Sequence, residues 1–160
     1  MEIRGIKEKD IPAILELVGG TISDPIYREK HNNMLDKKMR GYLKDEARSA
    51  QYIVLDGEKI IAFALAGVLT DEDELGKYHY CVFHTDRNEP LSWIMLWQIT
   101  VDSDYRGKNI GSMLLDRIEQ RVKELNLKGV YTGTRGNIRF FYEKNGFVID
   151  KVFLKKPITG

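Results

Sequence analysis

The spacing of apolar residues predicts two helices in the first third of the chain. Apolar side chains recur every three or four positions over residues 10–18, which gives a helix with one buried face. A glycine pair follows and is expected to end this helix. A second helix is predicted next, capped by Ser23 or Asp24 and with Pro25 in its first turn. Its later part carries an apolar stripe that we interpret as core packing, formed by Leu35, Met39, Tyr42, Leu43 and Ala47.

Short apolar runs bounded by turn residues predict the strands. Runs at 52–55 and 59–68 flank Asp56 and Gly57, a strong signal for a hairpin. Residues 92–101 are apolar on both faces, which is typical of a central strand covered on each side by other elements. Further strands are predicted at 1–6, 78–85, 129–132 and 147–154.

The apolar pattern returns to the period of a helix from Ile110 onward. Residues at spacings of three and four continue this helix to Leu125, and a shorter helix is predicted at 137–144. The resulting order, β-α-α-β-β-(β)-β-α-β-α-β, predicts an α/β domain with a mixed sheet. Because no repeat, low-complexity tract or linker interrupts the pattern, we expect a single domain over residues 1–160.

Composition is that of a soluble globular protein and argues against one class of partner. With 42% hydrophobic and 31% charged residues, a chain of 160 residues can bury one substantial core. The 25 Lys and Arg residues are balanced by 24 Asp and Glu residues. Non-specific nucleic-acid binding needs a basic excess that displaces counterions, so no nucleic-acid partner is expected.

The sequence also bears on compartment and metal binding. Charged residues interrupt the early apolar run that a secretory signal would need, and the best apolar stretch, 60–68, is too short to span a bilayer. We therefore expect a cytoplasmic protein with no membrane partner. Cys81 is the only cysteine, which excludes an internal disulfide and a multi-cysteine zinc site, and no metal site is expected.

The segment 101–112 carries the most specific chemistry. A buried strand ends there, a tight basic loop follows, and an amphipathic helix begins. The first turn of a helix presents unpaired N–H groups and a positive dipole end, and Gly107 and Gly111 let a ligand approach the backbone closely. Arg106 and Lys108 add positive charge, so the segment predicts a phosphate-binding loop. A plain strand-to-helix turn with solvated basic residues is the alternative that this pattern alone leaves open.

Two known phosphate loops can be set aside. The chain has no G-x-x-x-x-G-K-[ST] motif for a nucleoside triphosphate and no G-x-G-x-x-G motif for a dinucleotide. The segment instead resembles the signature of the GNAT superfamily of N-acetyltransferases, Q/R-x-x-G-x-G/A, which Arg106 and Gly111 match in type and spacing. Asn109 stands where the family usually has its first glycine. Because Asn tolerates left-handed backbone geometry, we expect the loop to keep its shape.

A second resemblance lies at residues 141–147, where Phe-Tyr-Glu-Lys-Asn-Gly-Phe is similar to the segment that ends a helix in the same family. Tyr142 matches a family position that commonly donates a proton to the departing thiolate, whereas packing in the core is the alternative interpretation. The family often carries an Asn seven residues before this tyrosine. This chain has Arg135 there, with Asn137 two residues further on.

Together the two segments imply a GNAT-like fold, a mixed and mostly antiparallel sheet flanked by helices. In this fold two splayed parallel strands form the cleft for acyl-CoA. The resemblance implies acetyl-CoA as co-substrate, held between the strand that ends at Val101 and the strand near Tyr131. The implied cofactor-binding residues are Ile99, Val101, Arg106, Gly107, Lys108, Asn109, Ile110, Gly111, Ser112 and Asn137.

The implied reaction moves the acetyl group to a primary amine, of a small molecule or of a peptide or protein, by direct attack in a ternary complex. Tyr142 is the expected acid, and a base must remove a proton from the amine. That base stays open between solvent water and a set of side chains, Asp102, Glu74, Glu89, His79 and His84. The acidic run at 71–74 is a further open hypothesis, because it could attract a cationic amine.

Two alternatives remain from the sequence. A chain of this family can bind acyl-CoA without turnover, as a sensor or interaction module, since similarity of fold does not certify chemistry. A homodimer through an exposed strand edge or the final strand is compatible with the pattern, and the sequence does not decide it.

Overall fold

The computed structural model describes residues 1–68, 92–133, 139–150 and 153–159. The helices are α1 (Ile11–Gly19), α2 (Pro25–Leu43), α3 (Ile110–Glu124) and α4 (Arg139–Lys144). The strands are β1 (Glu2–Gly5), β2 (Tyr52–Asp56), β3 (Lys59–Val68), β4 (Trp93–Val101), β5 (Gly129–Gly133), β6 (Val148–Asp150) and β7 (Phe153–Pro157). The helices of these ranges are all too short or too polar to serve as a membrane span. The strand predicted at 78–85 and Cys81 lie outside the described residues.

The start of α2 follows from its first residues. Of the two predicted caps, Asp24 is the one used, and its Oδ1 accepts hydrogen bonds from the N–H groups of Ile26 at 2.9 Å and Tyr27 at 3.3 Å. Pro25 takes the first helical position, where a missing N–H costs nothing. These contacts fix where α2 begins and hence where its side chains meet the sheet.

The strands form one seven-stranded sheet in the order β1-β2-β3-β4-β5-β7-β6. β4 and β5 run parallel, and every other neighbouring pair is antiparallel. The predicted mixed, mostly antiparallel sheet is therefore confirmed.

Helices cover the sheet on both faces and bury two apolar clusters. α1 and α2 pack on one face, against Phe63 and Leu65 of β3. α3 packs on the other face, against Ala62 and Ala64 of the same strand. Each large apolar side chain buried in this way contributes about 1.5–3 kcal/mol to folding, so the sheet is held from both sides.

The prediction of one final strand at 147–154 is wrong. The chain forms two antiparallel strands here, with Ile149 opposite Leu154 and Val148 opposite Lys155. No glycine or proline stands between Val148 and Leu154, and Asp150 is the one residue there of a type that favours turns, so the sequence gives only a weak signal for a break. The second strand, β7, inserts beside β5, which leaves β6 at the edge of the sheet.

Candidate active site

An opening forms where β4 and β5 part. The parallel pairing runs from Trp93 opposite Gly129 to Leu96 opposite Thr132. Beyond Leu96, β4 continues to Val101 and, among the described strands, pairs only with β3. Within the described residues, the backbone groups on the other side of this extension therefore have no neighbouring strand, as the predicted splayed cleft requires.

A β-bulge lies at the point of divergence. Leu65 of β3 pairs with Gln98 while the next residue, Ala66, pairs with Leu96, so Trp97 is the extra residue in β4. A bulge bends the strand that carries it. The bend lies where β4 leaves β5, and it sets the direction of the cleft wall.

Both faces of β4 line the same cavity, which has a volume of about 600 Å³. Four consecutive residues border it, Gln98, Ile99, Thr100 and Val101. Successive side chains of a strand point to opposite faces, and a strand inside a complete sheet cannot show both faces to one cavity. The cavity therefore wraps around the free edge of β4.

The register of β3 assigns each residue of this wall to a face. Gln98 and Thr100 pair with Leu65 and Phe63, which belong to the cluster under α1 and α2. Ile99 and Val101 pair with Ala64 and Ala62, which belong to the cluster under α3. The α2 side of the cavity is thus polar, and the α3 side is apolar.

The predicted phosphate loop, residues 102–109, adopts the geometry that an anion site needs. Gly107 and Asn109 both have a left-handed backbone, with φ of 76° and 65°. Asn109 precedes α3 and its side chain makes no capping hydrogen bond. The first N–H groups of α3, which have no acceptor inside a helix, are therefore not capped by that side chain, and the first three residues of the helix, Ile110 to Ser112, line the cavity.

Asp102 is held in place as part of this loop. Its Oδ1 accepts a 3.0 Å hydrogen bond from the N–H of Asp104, and its Oδ2 lies 3.0 Å from Lys59 Nζ. The hydrogen bond from Asp104 and then the one from Lys59 hold the pKa of Asp102 below its usual value. A carboxylate with a lowered pKa is a weaker proton acceptor, so the geometry gives Asp102 a structural task.

Tyr142 is buried beside the last paired rung of β4 and β5, where it contacts Thr132. Its side chain is 4% exposed and packs with its ring centre 5.3 Å from those of both Phe141 and Phe147. Burial raises the pKa of the Tyr142 phenol above its usual value, and a hydrogen bond with Thr132 opposes that rise. Thr132 itself donates to the carbonyl oxygen of Leu96 at 3.1 Å, on the last paired rung of β4 and β5.

The cavity brings together most of the residues singled out in the sequence. Those that line it are Ile99, Val101, Arg106, Gly107, Asn109, Ile110, Gly111 and Ser112. Lys108 and Tyr142 are described but are not part of the lining, and Lys108 Nζ lies 5.3 Å from the ring centre of Tyr105. Asn137 falls outside the described residues, as do four of the candidate bases, Glu74, Glu89, His79 and His84.

Other lining residues had no assigned role in the sequence. They are Thr21, Gln98, Thr100, Tyr105, Phe141 and Lys144. Gln98 and Thr100 follow from strand alternation once the edge of β4 is known to be free. Thr21 lies in the connection between α1 and α2, and no local sequence pattern predicts that it lines the cavity. Phe141 and Lys144 lie beside Tyr142 in the motif already noted.

Comparison with known proteins agrees with this architecture. The acetyltransferase (GNAT) domain profile matches residues 48–149, which is more than half of the chain. The PaiA N-acetyltransferase of Thermoplasma acidophilum, solved in complex with coenzyme A, has a TM-score of 0.70 at 16% identity and covers 98% of both chains. The NatC complex bound to Gag peptide and CoA gives a TM-score of 0.67 at 18% identity, covering 99% of this chain and 100% of the matched one.

Among curated relatives, the amino-acid acetyltransferase of Pasteurella multocida (strain Pm70) is 27% identical over 150 residues, or 94% of this chain. The chain spans only 28% of the length of that relative. Three findings agree. The profile match covers most of the sheet, the fold matches those of the solved structures, and the cleft lies at the strand divergence that the family resemblance implied. The chain belongs to the GNAT family of acetyltransferases.

Proposed function

We propose that this chain is an N-acetyltransferase that moves the acetyl group of acetyl-CoA to a primary amine by direct attack in a ternary complex. The observation that carries the proposal is the single cavity around the free edge of β4, with an anion-binding loop at one end. Such a cavity can hold a phosphate-bearing donor on the apolar face and an amine on the polar face, with one strand edge between them.

The residues of the α3 side fit coenzyme A. A diphosphate would sit at the uncapped N-terminus of α3, where the backbone of Gly107 to Ser112 offers N–H groups and Arg106 adds charge. The pantetheine arm would lie along Ile99 and Val101, whose strand edge offers backbone hydrogen-bonding groups like those of a missing strand. When bound, acetyl-CoA supplies the activated acyl group.

For the leaving thiolate, Tyr142 is the proposed proton donor. Its raised pKa keeps the phenol protonated at neutral pH, which a donor requires. The hydrogen bond with Thr132 holds the phenol beside the last paired rung of β4 and β5. Tyr142 itself is not part of the cavity lining. In the reaction the amine nitrogen forms the new C–N bond, the C–S bond breaks, and the sulfur takes the phenolic proton.

The acceptor is a primary amine of a small molecule or of a peptide or protein. The relatives named above act on amino acids in one case and are bound to a peptide in another, so both classes belong in a first panel. An acyl-CoA-binding module without turnover is the second candidate. One observation favours it, because the proposed acid does not line the cavity.

The test is release of free CoA thiol from acetyl-CoA with L-glutamate, spermidine, an aminoglycoside and a peptide with a free N-terminus. Calorimetric titration with CoA alone runs beside it. Thiol release that depends on the amine would establish the enzyme and indicate its acceptor class. Binding of CoA without release by any amine would favour the binding module. A protein that does not bind CoA would contradict both candidates.

A further inference from the structure

His31 links α2 to the polar face of the cavity. Its Nε2 lies 3.1 Å from Oε1 of Gln98, and Nε2 of Gln98 lies 2.8 Å from Oγ1 of Thr100. The imidazole also stacks on Tyr27 of its own helix, with ring centres 5.7 Å apart. The three side chains form a continuous hydrogen-bonded row, His31–Gln98–Thr100, that we call the imidazole row.

The imidazole row reaches the cavity wall through Gln98 and Thr100, and His31 lies one hydrogen bond behind them, outside the lining. Gln98 and Thr100 line the cavity, and both belong to the face of β4 that α1 and α2 cover. Nε2 is therefore the ring atom of His31 that faces the cavity wall.

Hydrogen-bond chemistry allows the row to serve both charge states of the ring. If the ring is an imidazolium, Nε2–H donates to the carbonyl oxygen of Gln98, and the amide N–H of Gln98 donates to Thr100. If the ring is neutral with a lone pair on Nε2, the amide turns over, donates to Nε2 and accepts from the hydroxyl of Thr100. A carboxamide and a hydroxyl each carry donors and acceptors, so neither state leaves a group unpaired within the row.

The acetyl transfer needs such a group, because an ammonium has no lone pair with which to attack. Histidine changes charge between pH 5 and 8 more readily than any other side chain. Of the bases considered from the sequence, Asp102 is engaged by Asp104 and Lys59, and the others lie outside the described residues. His31 is the one histidine within the described ranges, and it lies on the acceptor side.

We propose that His31 is the proton acceptor for the amine, a role that rests on the proposed acetyltransferase function. The ammonium passes one proton to Nε2 of neutral His31, directly or through one water, once the hydrogen bond from Gln98 to that atom has opened. The freed lone pair forms the C–N bond as the C–S bond breaks, and the thiolate takes the phenolic proton of Tyr142. The amide nitrogen then loses its second proton, which restores the phenol through solvent, and the imidazolium gives its proton to solvent. No further reactant is needed.

The groups around His31 are known for the described residues. From its own helix, Tyr27 contacts the ring. From β4, the uncharged Gln98 contacts Nε2, and the charge held against that strand is Lys38, with Nζ 3.6 Å from the ring centre of Trp97. Tyr27 and Gln98 are thus the neighbours that hold the ring in the described part of the chain.

Two substitutions separate proton transfer from hydrogen bonding. His31→Gln places an amide near Nε2 and can keep the contact with Gln98, but it cannot accept a proton at neutral pH. His31→Phe keeps a flat ring and removes both properties. Lys30→Gln, at an exposed neighbouring position of α2, is the matched control. Each variant is assayed for CoA binding and for kcat/KM with the fastest amine among L-glutamate, spermidine, an aminoglycoside and the peptide.

The proposal expects both His31 variants to lose at least about tenfold, and up to about 10⁴-fold, in kcat/KM for the amine, with CoA affinity unchanged within about twofold. In His31→Gln the rate should then climb with pH along the titration of the free amine, without the plateau of the wild type.

Wild-type kinetics in His31→Gln with loss only in His31→Phe would reduce His31 to a positioning residue and overturn the proposal. Wild-type kinetics in both would overturn it too. If the wild type binds CoA but acetylates no amine, the proposed function fails first and the inference falls with it.

Discussion

The phenol of Tyr105 donates a 2.7 Å hydrogen bond to Oδ2 of Asp56, across 49 residues of sequence. Tyr105 belongs to the phosphate loop and lines the cavity, whereas Asp56 ends β2 at the turn into β3. The hydrogen bond to Asp56 raises the pKa of Tyr105 above its usual value. Together with the ion pair between Lys59 and Asp102, this contact ties the phosphate loop to the hairpin turn.

Removing this contact should weaken cofactor binding. Tyr105→Phe deletes the hydroxyl and keeps the ring, so we expect the CoA dissociation constant to rise about two- to tenfold, the usual range for one exposed hydrogen bond. Asp56→Asn should give a similar increase, and the double variant no more than either one. Isothermal titration with CoA measures this, with pantetheine, which lacks the diphosphate, as the matched ligand. Equal losses for both ligands would show a general loosening of the fold instead.

Asn109 gives a prediction about backbone conformation. Its φ of 65° is easy for glycine, tolerable for Asn and strained for a β-branched residue. Asn109→Gly should therefore keep CoA affinity within about threefold. Asn109→Val should lower the free energy of unfolding by roughly 1–2 kcal/mol, the cost of left-handed geometry, and weaken CoA binding as well. Chemical denaturation and calorimetry report the two effects, and a Val variant as stable as the wild type would contradict the assigned geometry.

Gly111 lies in the first turn of α3, where this helix contacts Phe141 of α4. A Cβ at Gly111 would lie 2.9 Å from Cζ of Phe141, which itself lines the cavity. Gly111→Ala should push the Phe141 ring and cost about 1–3 kcal/mol through overpacking, with a matching fall in CoA affinity. Gly133→Ala is the control, because a Cβ there meets no atom of the described residues within 4 Å. Gly111→Ala combined with Phe141→Leu should recover part of the loss in thermal unfolding, and failure to do so would argue against this contact.

Tyr142→Phe separates acid catalysis from packing. The phenol is 4% exposed, so losing its hydrogen bond with Thr132 should cost about 1 kcal/mol of stability. If Tyr142 is the proton donor, Tyr142→Phe should also lower kcat by at least about tenfold, with CoA affinity unchanged. A raised pKa means that the wild-type kcat should fall only above the usual tyrosine range, and Tyr142→Phe should lack that alkaline loss. An unchanged kcat in Tyr142→Phe would leave the side chain a packing role alone.

Local patterns predicted the parts of the molecule that depend on neighbours in sequence. The Asp24 cap, the hairpin at Asp56 and the left-handed Asn109 each follow from a residue's own conformational preference. The pair of strands at 148–157 was missed because neither a glycine nor a proline interrupts residues 148–154 of the sequence. A conformational preference that depends on a single residue can be predicted from the sequence without a structure.

The polar side of the site could not be found in this way. His31 and Gln98 are 67 positions apart, and no periodicity joins a solvent-side residue of one helix to a strand edge. The free edge of β4 was implied by the family resemblance, but its consequence for Gln98 and Thr100 needed the register with β3. Long-range pairing sets which side chains share a cavity, and sequence spacing does not encode it directly.

The alternation along β4 has a consequence for how such a protein can change over time. Even-numbered positions, Gln98 and Thr100, border one half of the cavity, and odd-numbered positions, Ile99 and Val101, border the other. In the proposed enzyme, mutations at even positions can alter the choice of acceptor while the donor half keeps its shape. One short strand thus carries two independently adjustable sets of positions, and new acceptor preferences can arise by drift at one set without a transient loss of the donor.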